Sequence, residues 1–348
     1  MSDRAEAIAR DLDRAYEEAE VRELDLDAER WVIFSDHHRG ARDAADDFRR
    51  CERAYCAALG SYMESGFTLL AAGDVEELWE CTPEESVGAY ADVLALEAEF
   101  HAAGRLHRLF GNHDDHWRHE REVEKHLHAR FPGLRVLEAL RLRLLRGGED
   151  VGEIFAAHGH QGTLGSQRLA WLSRLVLRFV WRPLQRRIGF GSVTPADDWA
   201  LRREHDSAMF DWARKHVSRP VLITGHTHRP VFATSRPPAP RRRPEAEVAE
   251  DLEEARRRGQ ERAVAELRAE LELIRAEGRR GDPPPLPVTP PCYFNSGASS
   301  FADGDVTALE IADGRIRLVR WLDDSADPHP KVLVEDDLAE ILAQVRAG

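Results

Sequence analysis

Four apolar residues run directly into an aspartate and two histidines in the stretch Trp31-Val32-Ile33-Phe34-Ser35-Asp36-His37-His38. Short runs rich in aromatic and β-branched residues are typical of buried strands. A helical pattern follows, with Phe48, Tyr55 and Leu59 at helical spacing. The stretch therefore predicts a strand that delivers ionisable side chains to its carboxyl end.

The same arrangement, an apolar run that ends in polar residues, occurs four more times. The runs cover residues 67–72, 106–110, 153–157 and 220–224. Helical patterns lie between several of them, which is typical of an α/β sheet flanked by helices. Because ligands collect at the carboxyl ends of strands in open α/β sheets, the five ends predict one convergent site.

Five short motifs follow the five runs in order: Asp36-His37-His38, Gly73-Asp74, Gly111-Asn112-His113-Asp114, His158-Gly159-His160 and Gly225-His226-Thr227-His228. Imidazole and carboxylate together suit Mn, Fe or Zn better than Mg or Ca, which prefer oxygen ligands. In two-metal hydrolases the metals lie roughly 3.5–4 Å apart, so one carboxylate has to bridge them. The motifs predict two divalent transition-metal ions, with Mn²⁺ preferred, Fe or Zn as alternatives and Asp74 as the bridge.

In order and spacing, the five motifs resemble those of the calcineurin-like metallophosphoesterase superfamily, over roughly residues 31–232. The resemblance implies a four-layer α/β/β/α sandwich. It also implies one metal held by Asp36, His38, Asp74 and His228, and a second held by Asp74, Asn112, His158 and His226. A hydroxide between the metals would then attack phosphorus. By the same resemblance, His113 protonates the leaving oxygen and Asp114 orients the His113 ring.

The motif flanks look most like the branch that contains the UDP-diacylglucosamine pyrophosphatases of lipid A synthesis. The chain differs from that enzyme at His113 and His160, where the enzyme has Arg and Asp, so uncharacterised bacterial metallophosphoesterases of the same type are the closer likeness. Arg39 and His160 are the candidate substrate-binding residues. Glu77 and Trp79 also match the family pattern. The simplest interpretation is that both residues hold the loop around Asp74 in place.

A basic, aromatic segment stands out in this acidic chain. From Gln161 to Val193 there is no Asp or Glu, whereas there are six Arg. Such a composition is typical of a membrane-surface helix or of a lid over an anionic amphiphile. The same composition fits equally well a helix that packs on the core and lays the aliphatic parts of its Arg side chains along apolar surface. We predict a helical lid over residues 161–215 and peripheral membrane contact through residues 164–190.

The rest of the chain divides into three parts. Residues 1–30 are predicted to form an N-terminal helix, residues 31–322 the phosphoesterase domain, and residues 323–348 a C-terminal segment that ends in a helix. Within the domain, the Pro-flanked residues 236–290 are predicted to form a charged helical insertion. Its simplest interpretation is a solvated helix, and partner binding is the alternative.

Composition narrows the function further. The 348 residues include 63 acidic and 49 basic ones, for a formal charge of −14. This charge gives no strong indication that the protein binds nucleic acid. Four cysteines without a C-x-x-C pair fit a reducing compartment. Neither a secretory signal nor a membrane span is evident, which predicts a cytoplasmic protein, peripheral at the inner membrane face if the basic segment meets lipid.

We therefore expect a phosphoesterase that hydrolyses a phosphate ester or pyrophosphate bond in a phosphorylated small molecule or a nucleotide- or lipid-linked substrate. A nuclease or cyclic-nucleotide phosphodiesterase of the same superfamily is one alternative. A non-catalytic interaction scaffold that uses the helix at residues 245–280 is another. The oligomeric state does not follow from the sequence.

Overall fold

The computed structural model describes residues 3–43, 46–162, 199–233, 289–324 and 327–347, together with a few positions between 248 and 268. The helices are α1 (Asp3–Glu18), α2 (Phe48–Glu64), α3 (Pro83–Ala89), α4 (Ala91–Ala102), a 3₁₀ turn (Asp115–Arg118), α5 (Glu120–His126), α6 (Trp199–Lys215) and α7 (Leu338–Ala347). The strands are β1 (Glu20–Asp25), β2 (Trp31–Phe34), β3 (Thr68–Ala72), β4 (Leu106–Leu109), β5 (Val136–Leu137), β6 (Ala139–Arg146), β7 (Glu149–Ala157), β8 (Val221–Thr224), β9 (Val231–Phe232), β10 (Tyr293–Asn295), β11 (Val306–Ala312), β12 (Arg315–Leu322) and β13 (His329–Asp337).

These strands form two sheets. The seven-stranded sheet has the order β13-β12-β11-β2-β3-β4-β5, and the six-stranded sheet has the order β1-β6-β7-β8-β10-β9. Strands β2, β3, β4 and β5 run parallel to their neighbours in this series. In the other sheet, β8 lies between two parallel neighbours, β7 and β10. Parallel neighbours bring their carboxyl ends to one edge, so each sheet presents several strand ends together.

Alternate residues of β2 face opposite sides of the sheet, as the period of a strand requires. Trp31 and Ile33 pack in an apolar cluster that contains residues of both sheets and of α1 and α6. Val32 and Phe34 pack in a second cluster with residues of α2 and α4. The two sheets therefore lie against each other between helical layers, and the predicted α/β/β/α sandwich is confirmed.

The N-terminal region differs from its prediction. Helix α1 ends at Glu18, and residues 20–25 form β1, which pairs in parallel with β6, instead of continuing the helix to residue 29. Of the six side chains of β1, only Leu24 is buried. Such a strand contains mostly charged residues, so its sequence resembles that of a solvated helix. Pairing with the edge of β6 overrides that local pattern. With Ile8 and Leu12 also buried, residues 3–25 are part of the core fold.

Residues 199–215, at the end of the predicted lid, form α6. Its side chains Met209, Phe210 and Ala213 are buried in the core beside the six-stranded sheet, so this part is not a lid. Residues 163–198, which include most of the predicted lid and the predicted membrane contact, lie outside the described residues. So does nearly all of the predicted insertion at residues 236–290. No helix in the part of the chain that the structure describes has the length and apolar character of a membrane span.

The C-terminal region contributes to the sheet before it becomes helical. Strand β13, beyond the predicted domain limit at residue 322, pairs antiparallel with β12 along its full length, with one bulge at Leu318/Val319. Helix α7 then buries Leu338, Ile341 and Leu342 in the apolar cluster that contains residues of both sheets. The sheet thus continues past residue 322.

Candidate metal centre

The polar strand ends meet where the edges of the two sheets approach each other. The seven predicted ligands come from five loops: Asp36, His38, Asp74 and Asn112 follow β2, β3 and β4 of one sheet, and His158, His226 and His228 follow β7 and β8 of the other. Each sheet therefore supplies part of a single pocket.

One group of ligands consists of Asp36, His38 and His228. The Nε2 atoms of His38 and His228 are 3.0 Å apart, and Nε2 of His228 lies 3.2 Å from Oδ1 of Asp36. The Nε2 atom of His38 is 3.8 Å from the same carboxylate oxygen. Two imidazole nitrogens and a carboxylate oxygen that converge in this way suit a transition-metal ion.

A second group consists of Asp74, His158 and His226. Oδ2 of Asp74 lies 3.1 Å from Nε2 of His158 and 3.8 Å from Nε2 of His38, which belongs to the first group. Asp74 thus faces both groups at once. The Asn112 side chain is also buried, and its Oδ1 has no hydrogen-bond partner among the described residues.

The donor atoms fit a cation and not one another. Nδ1 of His158 lies 3.0 Å from the carbonyl oxygen of Ala72, so it donates its hydrogen there. In the neutral ring this leaves the lone pair of Nε2 directed toward Asp74, whose oxygen is also an acceptor. Buried acceptors that face one another are unfavourable unless a proton or a metal ion lies between them.

The two aspartates of the pocket favour positive charge at His158. Burial opposes ionisation of His158, yet the carboxylates of Asp74 and Asp36 raise the pKa of this histidine to about 9. Burial likewise opposes ionisation of Asp36, but His228 and His158 hold the pKa of this aspartate well below its usual value. A divalent ion competes with protons for such a ligand set, so metal binding here releases protons.

The backbone is strained at the predicted ligands. Five of them are non-glycine residues with positive φ, between 51° and 68°: Asp36, His38, Asp74, His226 and His228. Such conformations cost on the order of 1–3 kcal/mol each and persist where surrounding contacts hold them. Gly111 is needed for a different reason, because a Cβ there would lie 2.1 Å from Oδ1 of Asp74.

His113 lies at the rim of the pocket, between a carboxylate and an indole. Its Nδ1 is 2.7 Å from Oε2 of Glu77, and its ring stacks on Trp79 with centroids 4.0 Å apart. Its backbone N–H donates to Oδ1 of Asp74 over 2.8 Å. The same Glu77 carboxylate accepts from Nδ1 of His38. The motifs predict no chemical role for Glu77, although its position three residues after Asp74 places it near the predicted site.

Asp114 does not orient His113, contrary to the sequence prediction. Its two carboxylate oxygens accept backbone N–H hydrogen bonds from Gly111, Asp74 and Val75, at 2.6–3.2 Å. Burial, with the carboxylates of Asp74 and Glu76, raises the pKa of Asp114 to about 7. Because adjacent side chains in a tight loop point in different directions, chain neighbours need not be spatial partners. Asp114 instead holds together the loops that carry Asp74 and Asn112.

The two predicted substrate-binding residues are both buried. Arg39 is 1% exposed and forms an ion pair with Glu97, so it belongs to a buried charge network and is not available to a substrate. His160 is 4% exposed, and its ring centroid is 5.5 Å from that of the ligand His158. Burial and the neighbouring His158 lower the pKa of His160 to about 3.

Residues of helix α6 contact the loops that form the pocket, and the five motifs do not predict these contacts. His205 donates from Nε2 to the carbonyl oxygen of Gly159, and its ring centroid is 5.1 Å from that of His226. Asp206 accepts hydrogen bonds from the hydroxyls of Thr227 and Tyr293. These residues position the loops of His158 and His226, and only the folded chain brings them there.

This chain has similarity to known proteins. A solved structure of a conserved uncharacterized protein, a predicted phosphoesterase from Streptococcus pneumoniae TIGR4, aligns over 87% of this chain and 97% of its own, with 12% identity and a TM-score of 0.29. That score is too low to support an argument. No curated protein matches the chain. The calcineurin-like phosphoesterase family model matches residues 30–230, more than half of the chain and all five metal-site loops. The chain therefore belongs to the calcineurin-like phosphoesterases and is a metal-dependent phosphoester hydrolase.

Proposed function

We propose that the chain is a binuclear phosphoesterase that hydrolyses a phosphate ester or pyrophosphate bond in a nucleotide- or lipid-linked substrate. One ion would be held by Asp36, His38, Asp74 and His228, and the second by Asp74, Asn112, His158 and His226. Mn²⁺ is the ion we propose first, because the ligands mix imidazole nitrogens with carboxylate and amide oxygens.

The position of Asp74 is the observation that carries the proposal. Its Oδ2 lies within 3.8 Å of a histidine nitrogen from each ligand group. Its other oxygen accepts the backbone N–H of His113. A single carboxylate held in this way supports a bridge between two ions. The chemistry that such ions supply when bound is activation of water and neutralisation of the phosphoryl oxygens.

The contribution of His113 is to hold a proton for the leaving oxygen. Burial opposes protonation of this ring, but the carboxylates of Glu77 and Asp74 raise its pKa. Since Nδ1 donates to Glu77, Nε2 is the ring nitrogen that would give its proton to the leaving oxygen. Stacking on Trp79 fixes the plane of the ring. This arrangement supports general acid catalysis by His113.

The substrate class rests on the sequence. The flanks of three motifs resemble the branch that contains the UDP-diacylglucosamine pyrophosphatases. The basic residues between Gln161 and Val193 would complement an anionic phosphate, and the aromatic residues among them would complement an acyl chain. The formal charge of −14 disfavours a polyanionic nucleic acid. We propose a cytoplasmic location, at the inner membrane face when the substrate carries lipid.

The test is metal-dependent hydrolysis with Mn²⁺ on four substrates: a phosphodiester, a monoester, a UDP-linked pyrophosphate and short single-stranded DNA. Wild type is compared with Asp74→Ala and with the matched control Asp92→Ala, an exposed residue of α4. We expect turnover to disappear in Asp74→Ala, with loss of bound metal, and to persist in Asp92→Ala. The preferred substrate then separates a pyrophosphatase from a nuclease.

Two results would overturn the proposal. Equal activity of Asp74→Ala and Asp92→Ala would exclude a bridging role for Asp74. If none of the four substrates is hydrolysed, the metal content of the purified protein decides: a chain that binds no Mn²⁺ is a scaffold and not a hydrolase of the proposed type.

A further inference from the structure

A second group of metal-ligating side chains lies outside the catalytic pocket, on the 3₁₀ turn and α5. Nε2 of His116 is 3.0 Å from Oε2 of Glu122, and Nε2 of His126 is 3.4 Å from the same oxygen. One ligand atom from each of the three residues lies within 4.8 Å of the others. The group shares no residue with the catalytic ligands.

The backbone brings the three residues together. Glu122 and His126 are four residues apart on α5, so their side chains lie on the same face of the helix. His116 comes from the preceding 3₁₀ turn, and the hydrogen bond from His119 N to His116 O leads into α5. The three ligand atoms are therefore set by a short, continuous piece of regular structure.

A buried indole supports both imidazoles. Trp117 is 1% exposed, and its Nε1 donates to Oε2 of Glu76 over 2.8 Å. The ring centroids of His116 and His126 lie 5.5 Å and 6.1 Å from that of Trp117, both edge-on. The side chain of His126 is only 6% exposed, whereas those of His116 and Glu122 are about one-third exposed. One side of the group is thus packed and the other faces solvent.

A second carboxylate lies behind His126. Oε1 of Glu84, in the first turn of α3, is 3.6 Å from Nδ1 of His126 and 3.5 Å from the Lys125 ammonium. Carboxylates beside the distal nitrogen of a histidine commonly orient the ring of a metal ligand and increase its basicity. Glu84 thus places a negative charge near the ring nitrogen of His126 that faces away from Glu122.

From this geometry we infer that His116, Glu122 and His126 bind a divalent transition-metal ion, Zn²⁺ in the first place, at a site separate from the catalytic centre. Two imidazoles and one carboxylate are a common three-ligand set for Zn²⁺, with water in the fourth position. The solvent-facing side of the group provides room for that water. The ion connects the 3₁₀ turn, which follows the catalytic loop of His113, to α5. Mg²⁺ and Ca²⁺ do not suit this nitrogen-rich set.

The test is Zn²⁺ binding to the full-length chain, measured by titration calorimetry and by metal analysis after dialysis. The chain carries Asp36→Ala and Asp74→Ala, which weaken the catalytic centre. Into it we introduce Glu122→Gln or, as a matched control, Glu124→Gln, an exposed residue two positions away on α5. We expect Glu122→Gln to bind one Zn²⁺ fewer per chain, or to bind it with at least tenfold lower affinity. Glu124→Gln should keep both the zinc stoichiometry and the affinity of the parent chain.

A second variant, His116→Gln, gives the same comparison at a partly exposed ligand, where loss of folding is not expected. Cobalt(II) substitution adds a spectroscopic readout, because its visible absorption reports the coordinating atoms. Equal zinc stoichiometry and affinity in Glu122→Gln, His116→Gln and Glu124→Gln would overturn the inference. That result would leave the catalytic proposal untouched, since the catalytic ligands are different residues.

Discussion

His113 is the residue at which the chemistry and the metal site can be separated. Its side chain contacts Glu77 and Trp79 and lies edge-on to the ring of His38, with centroids 4.6 Å apart. Its contact with the predicted ligand Asp74 is made by the backbone N–H. We expect His113→Ala to lower kcat by about 10²–10⁴-fold on a substrate with a poor leaving group, the range typical of a general acid. Metal content should stay that of wild type. Unchanged kcat on such a substrate would exclude the role.

Glu77 controls the proton on that histidine. Burial opposes its ionisation, but the imidazoles of His113 and His38 lower its pKa to about 2, so it is a carboxylate at every working pH. Its charge raises the pKa of His113. A general acid must be protonated, so activity falls as pH rises through the pKa of His113. In Glu77→Gln the raising charge is absent, so this decrease of activity at alkaline pH should occur at lower pH.

The measurement is the pH dependence of kcat at saturating Mn²⁺, with metal content determined in parallel because Glu77 also contacts the ligand His38. Wild type and Glu77→Gln are compared at equal metal occupancy. A decrease of activity at the same alkaline pH in both proteins would show that Glu77 does not set the proton affinity of His113.

The sequence was informative about which loops meet in the pocket and less so about the residues beside the predicted ligands. The ligand motifs follow directly after buried strands, and topology alone brings parallel strand ends together. Asp114 and Arg39 were misassigned because their position in the chain, next to a ligand, says nothing about which way a side chain points. In the structure both make contacts beneath the loops instead of in the pocket.

Strand β4 contains a histidine that should make stability depend on pH. His107 stacks on Trp31, and burial, followed by the nearby Arg22, lowers its pKa from 6.5 to about 4. Between these values the unfolded chain binds more protons than the folded chain, so the free energy of unfolding decreases as pH falls. The expected loss from this group is up to about 3 kcal/mol.

Urea unfolding of the metal-free chain between pH 7 and pH 4 measures this effect. His107→Phe keeps an aromatic ring on Trp31 and removes the titration, so its stability should decrease less with acidification than that of wild type. His119→Phe, at an exposed position, is the control and should follow wild type. Parallel curves for wild type and His107→Phe would contradict the prediction.

Elements with strong hydrophobic patterns were predictable, and elements defined by tertiary pairing were not. Strand β2 is buried at all four positions, and its apolar run is unmistakable in sequence. Strand β1 buries a single side chain and exists because β6 offers it an edge. Helix α6 lies at the end of a segment whose basic composition predicted a lid, but its own residues Met209 and Phe210 are buried in the core.

Metal removal should affect the whole molecule. The proposed ligands come from both sheets, so an ion held by them would stabilise the folded chain by an amount that grows with the logarithm of the ion concentration. At 100 times Kd the gain is about 2.7 kcal/mol. We expect chelation to lower Tm and abolish hydrolysis, and Mn²⁺ to restore both. Asp74→Ala should show little response of Tm to Mn²⁺, unlike Asp92→Ala. An unchanged Tm in wild type would contradict the prediction.

The division of the ligands between two sheets also bears on how long the molecule stays folded. His38 and His228 are 190 positions apart, and their nitrogens come together only when both sheets have docked. An ion bound by these residues would therefore find a complete set of ligands only after the sheets have docked, so it would not accelerate the first steps of folding. Its contacts form late, and interactions that are absent from the transition state slow unfolding. The loaded protein should thus gain kinetic lifetime, such as resistance to proteases, without folding any faster.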